Sequence, residues 1–229
     1  MTGRPRPRRV SYGDHREQVA DLWLPDSEDA PRVVVLIHGG CWQKRYRRDL
    51  ENDVAADLVA RGYAAWNVEY RRLGAGGGWP ECRDDVVLSV AALEKLGVEI
   101  DPSPLALVGH SAGGYLALLA ASDIPARGVV AQAPVADLRL AARLRSCASG
   151  VGALLEQGAP SPSDKPPDLP HLVIHGDADR DVPVEIGRAY SNAVPAAEFV
   201  ELPGCGHYEH LDPASDAWQV AVRWIDQLV

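Results

Sequence analysis

The sequence predicts an α/β domain in which a mostly parallel central sheet carries helices on both faces. Apolar runs of strand length alternate with longer segments of helical periodicity, the pattern of repeated strand–helix–strand units. The run Val33-Val34-Val35-Leu36-Ile37 is continuously apolar, as in a strand covered on both faces. A glycine-rich pentapeptide, Gly109-His110-Ser111-Ala112-Gly113, stands where one such strand passes into a helix.

Along the chain, Val19 to Leu24 reads as an early strand stopped by Pro25-Asp26, and Arg32 to His38 as the next. Asp49 to Ala60 spaces Leu50, Val54, Leu58 and Val59 on one helical face, with Gly62 as the stop. Ala64 to Tyr70 is a strand, and Cys82 to Leu96 a helix ended by Gly97. Leu105 to Val108 is a strand and Ala112 to Ala121 a helix. Val129 to Ala133, His171 to His175 and Ala197 to Leu202 are further strands, with helices after the last two at Val184–Val194 and Pro213–Leu228. Residues 136–170 break the alternation: one or two helices, then a Pro-, Ser- and Asp-rich loop from Gly158 to Pro170. An insertion there is read as a lid or substrate-facing wall within a single domain spanning 9–229.

Composition narrows the function. The chain has 229 residues, is 46% apolar and carries a net charge of −9. That suits one folded domain and argues against nucleic acid as the main partner, which requires a basic face. The exception is the start, where Arg4, Arg6, Arg8 and Arg9 alternate with Pro5 and Pro7, so residues 1–8 read as a disordered basic arm. No apolar run follows it that would make a signal peptide, and none is long enough to span a bilayer, so the expectation is a cytoplasmic chain without a membrane partner. Cys41, Cys82, Cys147 and Cys205 are widely scattered; an even count allows two disulfides, but without an export signal reduced thiols are the expectation, and the lack of ligand spacing argues against a metal, with no cofactor expected.

The pentapeptide matches Gly-x-Ser-x-Gly in the strand–turn–helix setting of a nucleophile elbow. A nucleophile on so sharp a turn needs small neighbours, which Gly109 and Gly113 supply. The helix N-terminus directs free N–H groups at the site, so Ala112 N–H is a candidate oxyanion donor to a Ser111 nucleophile. A serine hydroxyl needs a base, and the base an orienting acid. Downstream, one strand ends in His175-Gly176-Asp177-Ala178-Asp179-Arg180-Asp181, offering three acids. Asp177 follows the strand most closely, and Asp181 could instead cap the next helix. The last strand ends in Pro203-Gly204-Cys205-Gly206-His207; His207 is the preferred base, and His210 reads as a cap or surface residue. Upstream, His38-Gly39-Gly40-Cys41-Trp42 follows a strand and can lend a second oxyanion donor, Gly40 N–H before Cys41 N–H. Trp42, Trp79 and His110 are candidate pocket residues. The Gly74–Pro80 loop lacks Gly-Lys-Ser/Thr and is not a phosphate loop.

Together these segments, with Glu69-Tyr70-Arg71-Arg72 and Val182-Pro183, resemble the single-domain bacterial α/β-hydrolases related to esterases, lipases, arylformamidases and prolyl-oligopeptidase-like hydrolases. The resemblance implies the α/β-hydrolase fold with a small cap insertion after the sixth strand. It assigns the acid to Asp179, in the His-Gly-x-x-Asp pattern before Val-Pro, and the base to His207. The His-Gly-Gly-x-Trp loop is most like arylformamidases, although Cys41 stands where they carry an aromatic or small residue. The shortness of 158–170 implies an open pocket.

The expectation is a serine hydrolase cleaving a small or medium carboxylic ester through an acyl-enzyme. An arylformamidase-like or other amide hydrolase is the alternative on the same machinery. A non-catalytic ligand-binding homologue is the alternative of another class.

Overall fold

The computed structural model describes residues 6–27 and 30–228. Eight strands form one sheet: β1 (Arg8–Ser11), β2 (Val19–Trp23), β3 (Arg32–Ile37), β4 (Ala64–Val68), β5 (Asp101–His110), β6 (Ala126–Gln132), β7 (His171–Gly176) and β8 (Ala197–Leu202). Their order is β1-β2-β4-β3-β5-β6-β7-β8. The β1/β2 and β2/β4 pairs are antiparallel, and every pair from β4/β3 to β7/β8 is parallel. This is the α/β-hydrolase fold that the sequence implied.

Among the described residues seven α-helices accompany the sheet: α1 (Asn52–Ala60), α2 (Glu81–Ala91), α3 (Ala112–Ala120), α4 (Leu138–Leu144), α5 (Ala148–Glu156), α6 (Val184–Ala193) and α7 (Asp216–Leu228). The alternating side chains of β3 explain why helices are needed on both faces. Val33, Val35 and Ile37 join one core cluster with α2, α3 and α6, while Val34 and Leu36 join a second with α1 and α7. The insertion between β6 and β7 folds as two helices, α4 and α5, followed by an irregular segment with one 3-10 turn at Pro162–Asp164.

One expectation for the N-terminal region changes. Arg8 is not part of an arm: it opens β1 and pairs with Leu22, a strand that reading by apolar pattern missed. Edge strand β1 is largely exposed, so it has no buried stripe to betray it; Asp21 on β2 holds Arg9 at 3.2 Å. The earlier part of the predicted arm, residues 1–5, lies outside the described residues.

The parallel arrangement brings the C-terminal ends of β3, β5, β7 and β8 to one edge of the sheet, where open α/β sheets place their sites.

Candidate active site

Ser111 sits between β5 and α3 with φ 56° and ψ −117° and is 2% exposed. L-residues avoid that conformation. It is held by the Ser111 N–H donating to the Gln132 carbonyl at 2.8 Å and by two glycine contacts that admit no methyl group. A Cβ at Gly113 would overlap the Ile37 carbonyl of β3, and one at Gly109 would overlap the Gly113 carbonyl. Strand and helix therefore approach as closely as backbones can, and the turn is forced. Ala112, the first residue of α3, has an N–H that no helical carbonyl can accept.

His207 lies in the loop after β8 and Asp179 in the loop after β7. The His207 Nδ1 donates to Asp179 Oδ2 at 2.7 Å. A carboxylate only accepts, so Nδ1 carries a proton, and a ring with that one proton has its free lone pair on Nε2. The other carboxylate oxygen, Oδ1, accepts from the Asp181 and Val182 N–H groups at 2.9 and 2.8 Å. Burial alone would raise the Asp179 pKa, but the His175 and His207 imidazoles and the Val182 N–H outweigh it, so the carboxyl lies well below the usual range. His175 reinforces the loop by donating Nε2–H to the Val182 carbonyl at 2.8 Å.

The three competing acids thus have separate places. Asp177 accepts from Gly204 N–H at 2.6 Å, tying the β7 loop to the β8 loop. Asp179 meets His207. Asp181 does not cap α6, whose N-cap is Pro183 without a side-chain bond; it lines the cavity in front of Ser111. His210 is fully buried rather than a cap or surface residue, and burial with the nearby His175 and His207 pushes its pKa down to about 3. His110 is likewise kept neutral, chiefly by burial, and its Nε2 donates to the His207 carbonyl at 2.9 Å, tying the His207 loop to the turn around Ser111.

Ser111, His110, His207, Gly40 and Cys41 line one cavity of about 440 Å³. Gly40 turns at φ 108°, and a side chain there would run into the Tyr46 ring. The His38 end of this loop is pinned from beneath. Its Nε2 bonds Glu69 Oε1 at 2.8 Å, its ring stacks on Tyr70 at 4.4 Å, and the Tyr70 hydroxyl donates to its carbonyl at 2.8 Å. Glu69 also faces Arg72 at 2.9 Å and Arg48, which reaches Asp21 at 2.8 Å.

Two pocket expectations are corrected. Trp42 is fully buried and meets Tyr115 edge-on at 5.1 Å, beneath the loop rather than in the cavity. Its neighbour Cys41 lies in the cavity wall instead. Trp79 packs against Tyr115 at 6.3 Å and lines a separate groove with Arg83 and Lys165. Expected reduced thiols are corrected too: Cys41 and Cys147 form a disulfide, leaving Cys82 and Cys205 free. Their separation of 106 residues hid the pairing from any reading of spacing.

Sequence reasoning missed Tyr46, Arg45, Gln43, Leu50, Ser149 and Tyr208, which complete the wall. Only Tyr208 carried a signal, being adjacent to His207. Among the described residues, no His/Cys/Asp/Glu group could hold a metal ion, and no helix is long and apolar enough to cross a membrane.

The sheet order and the helices on both its faces define the class: this chain has the α/β-hydrolase fold. Its similarities run to esterases. A family model, BD-FAE, matches residues 20–128, which include the His38 loop and the Ser111 elbow. Esterase LipC of Mycobacterium tuberculosis (strain ATCC 25618 / H37Rv) is 27% identical over 257 aligned positions, covering 90% of this chain and 61% of LipC. The chain therefore spans about three fifths of that relative's length. A candidate thioesterase from Silicibacter sp. TM1040 superposes with a TM-score of 0.77 at 28% identity, covering 96% of this chain and 86% of the other. Esterase B from Lactobacillus rhamnosis, with a phosphonate inhibitor, gives a TM-score of 0.82 at 18% identity over 99% of this chain and 85% of its own, a likeness of fold alone.

Proposed function

We propose that this protein hydrolyses a small or medium carboxylic ester through an acyl-enzyme on Ser111. The observation that carries this reading is the Nδ1–H bond from His207 to Asp179 at 2.7 Å, which leaves Nε2 as a base beside the cavity that Ser111 lines. In the proposed reaction Nε2 takes the Ser111 proton as Oγ attacks the ester carbonyl. Asp179 stabilises the resulting imidazolium without itself accepting the proton. Ala112 N–H and a donor from the His38-Gly39-Gly40-Cys41 loop, Gly40 first, hold the oxyanion. The imidazolium then protonates the leaving alcohol. Water, deprotonated by the same nitrogen, attacks the acyl-enzyme to release the acid and regenerate Ser111. Esterase relatives over most of the chain support the ester reading above the amide one.

The disulfide bears on the compartment: such bonds persist where the surroundings are oxidising, which weighs against the cytoplasmic expectation.

Incubation with a fluorophosphonate and mapping of the adduct tests the nucleophile. Labelling at Ser111, lost in Ser111→Ala and strongly slowed in His207→Ala, is expected. A folded wild type that takes no label refutes the proposal. Turnover of p-nitrophenyl acetate against N-formylkynurenine then separates ester from formamide hydrolysis.

A further inference from the structure

We propose that the Cys41–Cys147 disulfide is a positioning element of the reaction: it holds the Gly40–Trp42 turn against the cap helix α5, so that the turn's backbone donors stay aimed at the oxyanion. The inference rests on the acyl-transfer reading of the site given above.

The turn is conformationally costly. Gly40, Cys41 and Trp42 have φ of 108°, 51° and 55°, three consecutive residues in the left-handed region of which only the first is glycine. Non-glycine residues leave that region unless the surroundings over-determine them. Trp42 has its own anchors: its ring lies on Tyr115, and its carbonyl accepts from Leu73 N–H at 2.8 Å. Cys41 sits between that anchored residue and the open cavity, and α5 meets it there. The disulfide joins Cys41 to Cys147, Gln43 Nε2 donates to Ser149 Oγ at 2.7 Å, and Gly150 lies so close to the Cys41 carbonyl that a methyl group would overlap it. Cys147, at φ 46°, is itself held in the left-handed region. Immediately before it, Ser146 Oγ donates to the Asp181 carbonyl at 2.7 Å, two residues beyond Asp179. The start of α5 thus fastens the oxyanion loop on one side and the acid loop on the other. The disulfide is the one covalent link in that clasp among the described residues.

Both sulfur-bearing residues line the cavity and are half-buried, so a small dithiol can reach them. Reduction breaks the S–S bond and protonates two thiols, while the dithiol is oxidised to its own cyclic disulfide. The turn is then free to relax away from its left-handed geometry. Loss of an oriented oxyanion donor acts on the transition state more than on ground-state binding, so kcat falls and KM holds.

The test is steady-state hydrolysis of p-nitrophenyl acetate by native protein before reduction, after dithiothreitol with capping by iodoacetamide, and after reduction and reoxidation. Mass spectrometry reports the Cys41–Cys147 pairing, and circular dichroism the fold. The expected result is a kcat lowered about tenfold to a hundredfold on reduction, a KM within about threefold, and recovery on reoxidation. Cys147→Ser reproduces the reduced kinetics; where that variant fails to fold, reduction of the wild type decides. A fully reduced enzyme whose kcat stays within about twofold, or one whose KM alone rises, overturns the proposal. So does purified oxidised protein in which the two cysteines are unpaired. An oxidised wild type that neither turns over esters nor takes a fluorophosphonate overturns the hydrolase reading itself, a result distinct from an active enzyme indifferent to reductant.

Discussion

Ser111, at φ 56° and ψ −117°, stores strain that the neighbouring glycines and the Gln132 carbonyl make unavoidable. Ser111→Ala keeps the backbone and removes Oγ, so ester turnover is expected to drop at least about 10⁴-fold with the fold intact. Asp179→Asn is expected to cost about 10³–10⁴-fold in kcat, because an amide can donate to Nδ1 and so favours the tautomer that occupies Nε2 with a proton. Equal activity of this variant and wild type would remove Asp179 from the mechanism. Glu51 raises a separate matter of charge. Its side chain is buried, burial raises its pKa to about 8, and its Oε1 has no partner. A carboxyl whose folded pKa exceeds its unfolded value keeps its proton in the fold. Its contribution is full below the unfolded value of about 4.3 and is lost as pH rises toward 8. Glu51→Gln cannot ionise, so its stability relative to wild type, read from urea unfolding, is expected to rise between those limits, by a few kcal/mol at most. A difference that stays flat with pH would show Glu51 to be solvated.

At the scale of elements, the contact between α3 and β3 sets the site. Gly113→Ala forces a methyl group into the Ile37 carbonyl and must separate helix from strand. A loss of about 1–3 kcal/mol in urea unfolding is expected, together with weaker catalysis, because Ala112 N–H moves with α3. Gly152→Ala on α5 meets open space and serves as the comparison: as an exchange at an open helical position it is expected to be neutral or stabilising. These consequences were half legible. Gly109 and Gly113 announced a close approach by their place in the motif, but nothing in the sequence named Ile37 as the group approached. The insertion shows the same division. Its composition predicted helix then loop, and α4 and α5 are there, yet the docking of α5 on Cys41 follows from packing that residues 147–150 do not encode locally.

Across the whole molecule, ionisable side chains from distant segments converge beneath the His38–Trp42 loop: Glu17, Asp21, His38, Arg48, Glu69 and Arg72. Burial alone would raise the Glu69 pKa, but His38, Arg72 and the Arg48 N–H hold it below its ordinary value. A carboxylate depressed in the fold stabilises it above the unfolded pKa and loses that contribution as pH falls. Stability is therefore expected to fall on acidification from about pH 4.3 downward. Glu69→Gln should flatten that slope while destabilising the protein at pH 7 by about 3–5 kcal/mol, read from urea midpoints across pH. An unchanged acid slope would exclude Glu69 as its source. What the sequence determined by itself was what short-range physics controls: the alternation of strands and helices, the elbow around Ser111, and the chain order of nucleophile, acid and base candidates. Periodicity and turn chemistry act over a few residues, so they can be read from a few residues. The resemblance had already pointed to Asp179; only the tertiary structure seated it against His207, buried His210, turned Trp42 beneath its loop, gave β1 its partner and paired Cys41 with Cys147. Each of those outcomes depends on which surfaces the sheet brings together across tens of residues, and that is settled by packing the whole chain at once.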